Sequence, residues 1–179
     1  LMKKALLWIL ALVMLALPTL ALADDELNFN EENVANIPGE FVALEDFGLM
    51  FYLPEELVAQ EVSGELAAQG IYAFYMNEAQ THSMSIGYAP AVHAEGQAVA
   101  SLEELCSVFV GLGLDASIGT LNGLPCIAWS TQENGQMGIT MYTEKGYQLT
   151  FTFAPTTDAE YLSVSSAVIS SIMELQYEE

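Results

Sequence analysis

Alternation of apolar and polar residues predicts the strands in the second half of the chain. The apolar positions of the last strand share one face: Tyr147, Leu149, Phe151 and Phe153. Successive side chains of a strand point to opposite faces, so this face packs a core and the other meets polar surroundings. Turn sequences divide Asp115 to Phe153 into four short strands: Asn122-Gly123, Asn134-Gly135 and Glu144-Lys145-Gly146. Asn-Gly supplies the positive φ angles of tight hairpins, which predicts consecutive antiparallel pairing.

Two further hairpins are predicted upstream. The first joins Phe41–Glu45 to Leu49–Leu53 through the turn Asp46–Gly48. The second joins Ile71–Asn77 to His82–Ala89, where apolar and small polar residues alternate. Turn residues bound each run, as is typical of short antiparallel strands.

Helical spacing predicts a first helix from Leu102 to about Leu112. Ser101 and Glu104 form a capping box at its start. In a capping box, the serine hydroxyl accepts a hydrogen bond from the glutamate amide, and the glutamate carboxylate accepts one from the serine amide. Glu55–Gln69 has no clear period, and a short helix, a short strand and a loop all fit it.

A second amphipathic helix is predicted after Pro155. Thr157 and Glu160 form its capping box, and the apolar stripe continues to about Leu175. Together these elements predict an α+β fold: an antiparallel sheet of about six to eight strands flanked by two main helices.

The N-terminal segment has the pattern of an export signal. Lys3-Lys4 precede the apolar run Ala5–Leu17, and Ala21-Leu22-Ala23 supplies the small residues of a cleavage site. This order predicts a secretory signal peptide over residues 1–23 and a secreted or extracytoplasmic protein. The alternative is an uncleaved N-terminal membrane anchor, because Ala5–Ala23 is about long enough to span a bilayer.

The rest of the chain is strongly acidic. The 179 residues include 24 Asp or Glu and only 3 Lys or Arg, and a chain beginning at Asp24 keeps only Lys145, for a formal net charge of −23. Binding to nucleic acid or to an anionic membrane surface requires clustered basic residues, so both are excluded. Residues 24–40 are predicted to be an acidic flexible leader, and residues 41–179 a single domain.

Four segments carry a resemblance to a known family: Phe47–Pro54, Leu121–Pro125, Tyr147–Phe151 and Ile169–Ile172. In this order they resemble the PsbP-like alpha/beta/alpha sandwich superfamily, which includes bacterial exported proteins of unknown function. The resemblance implies an antiparallel sheet flanked by helices. Because members of this superfamily mostly act as binding or assembly factors, it also implies a non-enzymatic module.

The polar face of the sheet is the first candidate binding site. Most of the residues that line it are small and polar, and Tyr75 and Tyr142 add two aromatic rings. The predicted face consists of Tyr75, Ser83, Ser85, Gly87, Gly138, Thr140, Tyr142, Gln148, Thr150 and Thr152. A flat surface of this kind suits a peptide or a sugar. The alternative is an ordinary solvated or loop-covered sheet face.

Catalytic and metal motifs are sparse. The two histidines, His82 and His93, lack neighbouring partners and are interpreted as exposed imidazoles, and no G-x-S-x-G elbow or paired zinc motif is present. A secreted hydrolase that uses carboxylates remains the rival hypothesis, with Glu55, Glu56 and Glu133 as candidates.

The excess of carboxylates also leaves open an acidic, cation-binding surface protein, and calcium is the candidate ion because it prefers oxygen ligands. Cys106 and Cys126 are consistent either with a disulfide in an exported protein or with two small buried side chains. From these patterns we expect an exported, non-enzymatic binding or assembly module of the cell envelope. Its expected partner is an envelope or extracellular protein or peptide.

Overall fold

A computed structural model describes residues 26–131 and 135–175. Eleven strands occur in this part of the chain: β1 (Glu26–Leu27), β2 (Gly39–Leu44), β3 (Leu49–Pro54), β4 (Val58–Gln60), β5 (Ile71–Met76), β6 (Ser83–Pro90), β7 (Asp115–Leu121), β8 (Leu124–Thr131), β9 (Gln136–Tyr142), β10 (Tyr147–Ala154) and β11 (Met173–Glu174). The α-helices of the same part are α1 (Gly64–Ala68), α2 (Leu102–Gly111) and α3 (Ala159–Ser170).

The predicted α+β fold is confirmed. Eight strands form one sheet in the order β1-β7-β8-β9-β10-β6-β5-β4. The run from β7 to β10 pairs as consecutive antiparallel strands, and β10 then pairs with β6. The predicted hairpin of β5 and β6 continues the sheet, and β4 pairs with β5 to form that edge. At the opposite edge, β1 is parallel to β7.

The first predicted hairpin lies outside this sheet. β2 and β3 pair with each other, and β11 adds to β3, so that a three-stranded sheet forms. Its central residue Phe51 is fully buried and packs edge-on against Phe151 of the large sheet, with ring centroids 5.7 Å apart. Together with α3, this small sheet covers one face of the large sheet and encloses the main core.

The opposite face of the large sheet is covered only in part. Helix α2 packs against β7, β8 and β9, and Leu105, Ile127 and Trp129 form a second, smaller core there. On β6 and β10 the side chains of this face are partly exposed. The predicted polar face therefore divides into a covered half and an open half.

Two sequence predictions about α3 need correction. Asp158, rather than Thr157, caps α3, because its carboxylate accepts hydrogen bonds from the backbone amides of Glu160 and Tyr161. The helix ends at Ser170 and not at Leu175, since the chain turns so that Met173–Glu174 can pair with β3.

The segment predicted as an acidic flexible leader makes contacts with the domain over the part that the structure describes. Glu26–Leu27 pairs with β7, residues 31–33 form a turn of 3-10 helix, and Val34 is buried. The acidic side chains of this segment remain exposed, so its composition alone did not reveal the backbone and apolar contacts.

Of the two alternatives for Cys106 and Cys126, the structure has two separate side chains and no disulfide, since both cysteines are free. Cys126 belongs to the main core, whereas Cys106 packs into the smaller core beneath α2. Alternation along β8 explains the separation: Cys126 points to one face of the sheet, and its neighbour Ile127 meets the helix on the other. Burial raises the pKa of the Cys126 thiol to about 11, as expected for an inert core cysteine.

The predicted signal peptide, residues 1–23, lies outside the described residues. Over 26–131 and 135–175, no helix has the length and apolar character needed to cross a membrane.

Candidate functional site

A groove opens where the first turns of α3 meet the end of β3 and the start of β6. The cavity has a volume of about 620 Å³. Its walls come from four separate segments of the chain: Asn36, Ile37, Pro38, Pro54, Glu55, Glu56, His82, Glu160, Tyr161, Ser163 and Val164. We call this cavity the α3 groove. It combines apolar walls with carboxylates at positions 55, 56 and 160.

Hydrogen bonds between these segments hold the walls of the α3 groove in place. Tyr52 Oη donates to the Ile37 carbonyl at 2.6 Å, and the Glu55 amide donates to the Pro38 carbonyl at 2.8 Å. Tyr161 Oη donates to the Ser83 carbonyl at 2.7 Å, which ties α3 to β6. A site whose walls are already fixed loses little conformational entropy when a ligand binds.

His82 is packed into the wall of the α3 groove and is not the exposed imidazole that the sequence predicted. Its ring stacks on Tyr161, with centroids 4.3 Å apart and planes inclined by 11°. Nε2 lies 3.4 Å from Asp158 Oδ2, while Nδ1 is buried without a hydrogen-bond partner among the described residues. Nε2 is therefore engaged by Asp158, and Nδ1 has no access to solvent in this arrangement.

The two ionisable groups that contact His82, Asp158 and Tyr161, also make hydrogen bonds within the protein. The pKa of Asp158 is lowered, chiefly because its carboxylate accepts the Tyr161 amide, and the His82 side chain adds to this effect. Burial raises the pKa of Tyr161 well above its usual range. The phenol therefore stays protonated and continues to donate to Ser83.

A second cavity of about 590 Å³ shares Glu55 and Glu56 with the α3 groove. Its remaining lining is Val58, Asn77, Glu78 and Ala79. The two cavities thus adjoin across the residues that connect β3 to β4. We call this second cavity the β4 cavity.

Positive charge is far from both cavities. Lys145 is the one Lys or Arg within the described residues, and it lies in the turn before β10. β10 pairs with β6 so that Tyr147 is opposite Pro90 and Ala154 is opposite Ser83. Lys145 is therefore at the other end of these strands from His82, roughly 24 Å away at about 3.4 Å per residue. The two ion pairs of the described residues both use histidine, so no Lys or Arg there neutralises the carboxylates of the cavities.

Three of the predicted sheet-face residues are not available to a ligand. Tyr75 lies on the other face, in the main core, because it is opposite Met84 and packs against Phe51. Thr140 is fully buried, and its hydroxyl accepts a hydrogen bond from Trp129 Nε1 at 3.0 Å. Tyr142 packs into the smaller core and donates to the Val99 carbonyl at 2.8 Å.

The remaining predicted residues, except Gly138, lie on the open half of the face. They are partly exposed on the neighbouring strands β6 and β10: Ser83, Ser85, Gly87, Gln148, Thr150 and Thr152. Gly138 is not among them, since a Cβ there would approach a ring carbon of Trp129 to 2.6 Å. The sequence placed the strands correctly but did not show that α2 covers only one half of the sheet.

Of the three carboxylates named for the rival hydrolase hypothesis, Glu55 and Glu56 line the α3 groove. Glu55 and Glu56 are both exposed there, and Glu133 lies outside the described residues. His93 is on the far side of the fold, where Nε2 lies 2.8 Å from Glu104 Oε1. Across 26–131 and 135–175, no three Asp, Glu, His or Cys side chains come together as a metal site.

Sequence reasoning missed the residues that complete the α3 groove. Glu160 and Tyr161 belong to the first turn of α3, and helical periodicity assigned Tyr161 to a buried stripe without showing that its ring borders a cavity. The pair Glu55-Glu56 after Pro54 was the one visible indication, because it places adjacent carboxylates at the end of a strand.

Comparison with known proteins identifies the fold. No protein-family model and no curated protein matches the sequence. The solution structure of cyanobacterial PsbP (CyanoP) from Synechocystis sp. PCC 6803 is similar, with a TM-score of 0.54 and 13% identity over 77% of this chain and 93% of that chain. The Ran-binding protein Mog1p of Saccharomyces cerevisiae gives a TM-score of 0.45 and 10% identity over 79% of this chain and 97% of that chain. At such identities a likeness concerns the fold alone, and the chain has a PsbP-like α+β fold, as its sequence resemblance implied.

Proposed function

We propose that this protein is an exported, non-enzymatic binding or assembly module of the cell envelope, and that the α3 groove receives a protein or peptide partner. The observation that carries the proposal is the α3 groove itself: a cavity of about 620 Å³ with fixed apolar walls and acidic residues at its edge. Cavities of this size with a few polar groups are typical of binding sites.

The chemistry of the α3 groove favours binding over catalysis. The His82 ring is held by Asp158 and by stacking on Tyr161, and the Tyr161 hydroxyl is held by the Ser83 carbonyl. A general acid or base must reach the proton that it transfers, and both groups are engaged within the protein. The exposed carboxylates of Glu55 and Glu56 suit recognition of a partner.

The proposed export and envelope location rest on the sequence. Residues 1–23 have the order of basic, apolar and small residues that characterises secretory signals. The acidic composition of the rest is compatible with an exposed, soluble surface that repels anionic membranes.

Affinity capture from the envelope and medium fractions tests this function. The full chain and a Glu55→Gln/Glu56→Gln variant are compared with a Thr150→Ala/Thr152→Ala variant on the open half of the sheet face. We expect a defined protein that is retained by the full chain and by the Thr variant and lost with the Glu variant. Loss with the Thr variant alone would move the site to the sheet face, and repeated absence of any retained protein would contradict the proposal.

A further inference from the structure

We propose that the partner's contact segment is basic: an extended stretch of polypeptide whose Lys or Arg side chains lie in the α3 groove and the adjoining β4 cavity. This inference rests on the proposed function and specifies the chemistry of the partner at the same site.

Charge complementarity is the first argument. Glu55, Glu56 and Glu160 line the α3 groove, and Glu78 continues the acidic lining into the β4 cavity. All four side chains are exposed, and among the described residues none has a Lys or Arg partner. Like charges held close together repel one another, so a cationic segment gains Coulombic energy that a neutral or acidic one lacks.

The apolar walls are the second argument. Ile37, Pro38, Pro54 and Val164 lie beside the carboxylates, and the stacked rings of His82 and Tyr161 close one side. Lys and Arg bury an apolar stem while the charged head remains near solvent or a carboxylate. A bare divalent ion would leave these apolar walls unused.

The arrangement of the cavities is the third argument. They meet at Glu55 and Glu56, so that a ligand can pass from the first turns of α3 to the turn that follows β5. A continuous path with carboxylates along it fits a chain with several cationic side chains better than a single small cation. The hydrogen bonds from Tyr52 to Ile37 and from Glu55 to Pro38 keep the path open before binding.

Fluorescence anisotropy with the full chain tests the inference. The probe is a fluorescein-labelled nonapeptide of alternating Lys and Leu, and the same peptide with Glu in place of Lys is the reference. We expect the Lys peptide to bind, and Glu55→Gln/Glu56→Gln to weaken it about tenfold, as two rim charges can contribute. The matched control is Glu95→Gln/Glu144→Gln, which removes the same charge from exposed loops at the Lys145 end and should leave affinity within about twofold.

Several outcomes would overturn the inference. Equal weakening by both Glu variants would mean generic attraction to an acidic surface, and equal binding of the Glu peptide would remove the charge argument. Displacement of the peptide by spermidine or by Ca²⁺ at the peptide's own concentration would mean a small-cation site. If a captured protein is lost with Glu55→Gln/Glu56→Gln while the Lys peptide does not bind, the proposed function stands and the basic partner is wrong.

Discussion

Asn122 connects three distant parts of the molecule. Its backbone has φ 49° in the tight turn between β7 and β8, where Gly123 follows with φ 81°. Its side-chain amide donates to the carbonyls of Ser170 at 2.8 Å and Ile172 at 2.7 Å, and its oxygen accepts the Phe29 amide. One side chain therefore joins a hairpin turn, the end of α3 and the N-terminal segment. The sequence predicted the turn from Asn-Gly, but the side-chain partners lie too far along the chain for local pattern to indicate them.

Replacing Asn122 tests this role. Asn122→Ala should lower the free energy of unfolding by about 2–3 kcal/mol, because it places a Cβ-bearing residue without a side-chain amide at positive φ and leaves carbonyls without donors. Glycine adopts the positive φ of the turn without strain, so Asn122→Gly loses only the side-chain hydrogen bonds. It should therefore lower the free energy of unfolding by less than Asn122→Ala does. Urea denaturation of the three proteins measures the difference. Variants within about 0.5 kcal/mol of the natural protein would contradict the role.

At the scale of elements, strands were more predictable than helix ends. Alternation and Asn-Gly turns located β7 to β10 because both signals are local. The end of α3 depends instead on the pairing of Met173–Glu174 with β3, about 120 residues upstream along the chain. The start of α2 was predictable, since Ser101 Oγ accepts the Glu104 amide at 3.2 Å as a capping box requires. Glu104 reaches back one residue further than expected, to the Ala100 amide at 2.7 Å, and also contacts His93.

The cap of α2 predicts a pH dependence. The hydrogen bond from the Ala100 amide is the main reason that the pKa of Glu104 lies below its ordinary value of 4.5, and the hydrogen bond with the His93 side chain lowers it further. As the pH falls, Glu104 is therefore protonated in the unfolded chain before it is protonated in the folded protein. The ionised cap stabilises the fold fully above about pH 4.5, and this stabilisation is lost as the pH falls through the pKa that Glu104 has in the folded protein. The melting temperature of Glu104→Gln should lie below that of the natural protein at pH 7, and the gap should narrow as the pH falls below 4.5.

The control for this prediction is Glu95→Gln, an exposed residue in the loop before α2 that changes the same charge without the cap. Its melting temperature should follow that of the natural protein across the same pH range. A gap for Glu104→Gln that is constant with pH would mean that the carboxylate charge has no part in the cap.

At the scale of the whole molecule, the α3 groove could not be located from the sequence because four segments build it. Residues 36–38, 54–56 and 160–164 and His82 meet only after the small sheet and α3 pack on the large sheet. Composition did exclude anionic partners such as nucleic acid, since an acidic chain repels them. Alternation along the strands predicted the polar sheet face as a site, but packing of α2 and the position of Tyr75 in the core removed part of it.

Changes in backbone amide chemical shift on titration with the Lys-Leu nonapeptide show directly whether the α3 groove is the binding surface. In two-dimensional ¹H–¹⁵N spectra of the labelled protein, we expect the largest shifts at Glu55–Leu57, His82 and Glu160–Val164. Shifts centred on Ser85, Gln148 and Thr150 would instead place the peptide on the open half of the sheet face and contradict a site in the α3 groove.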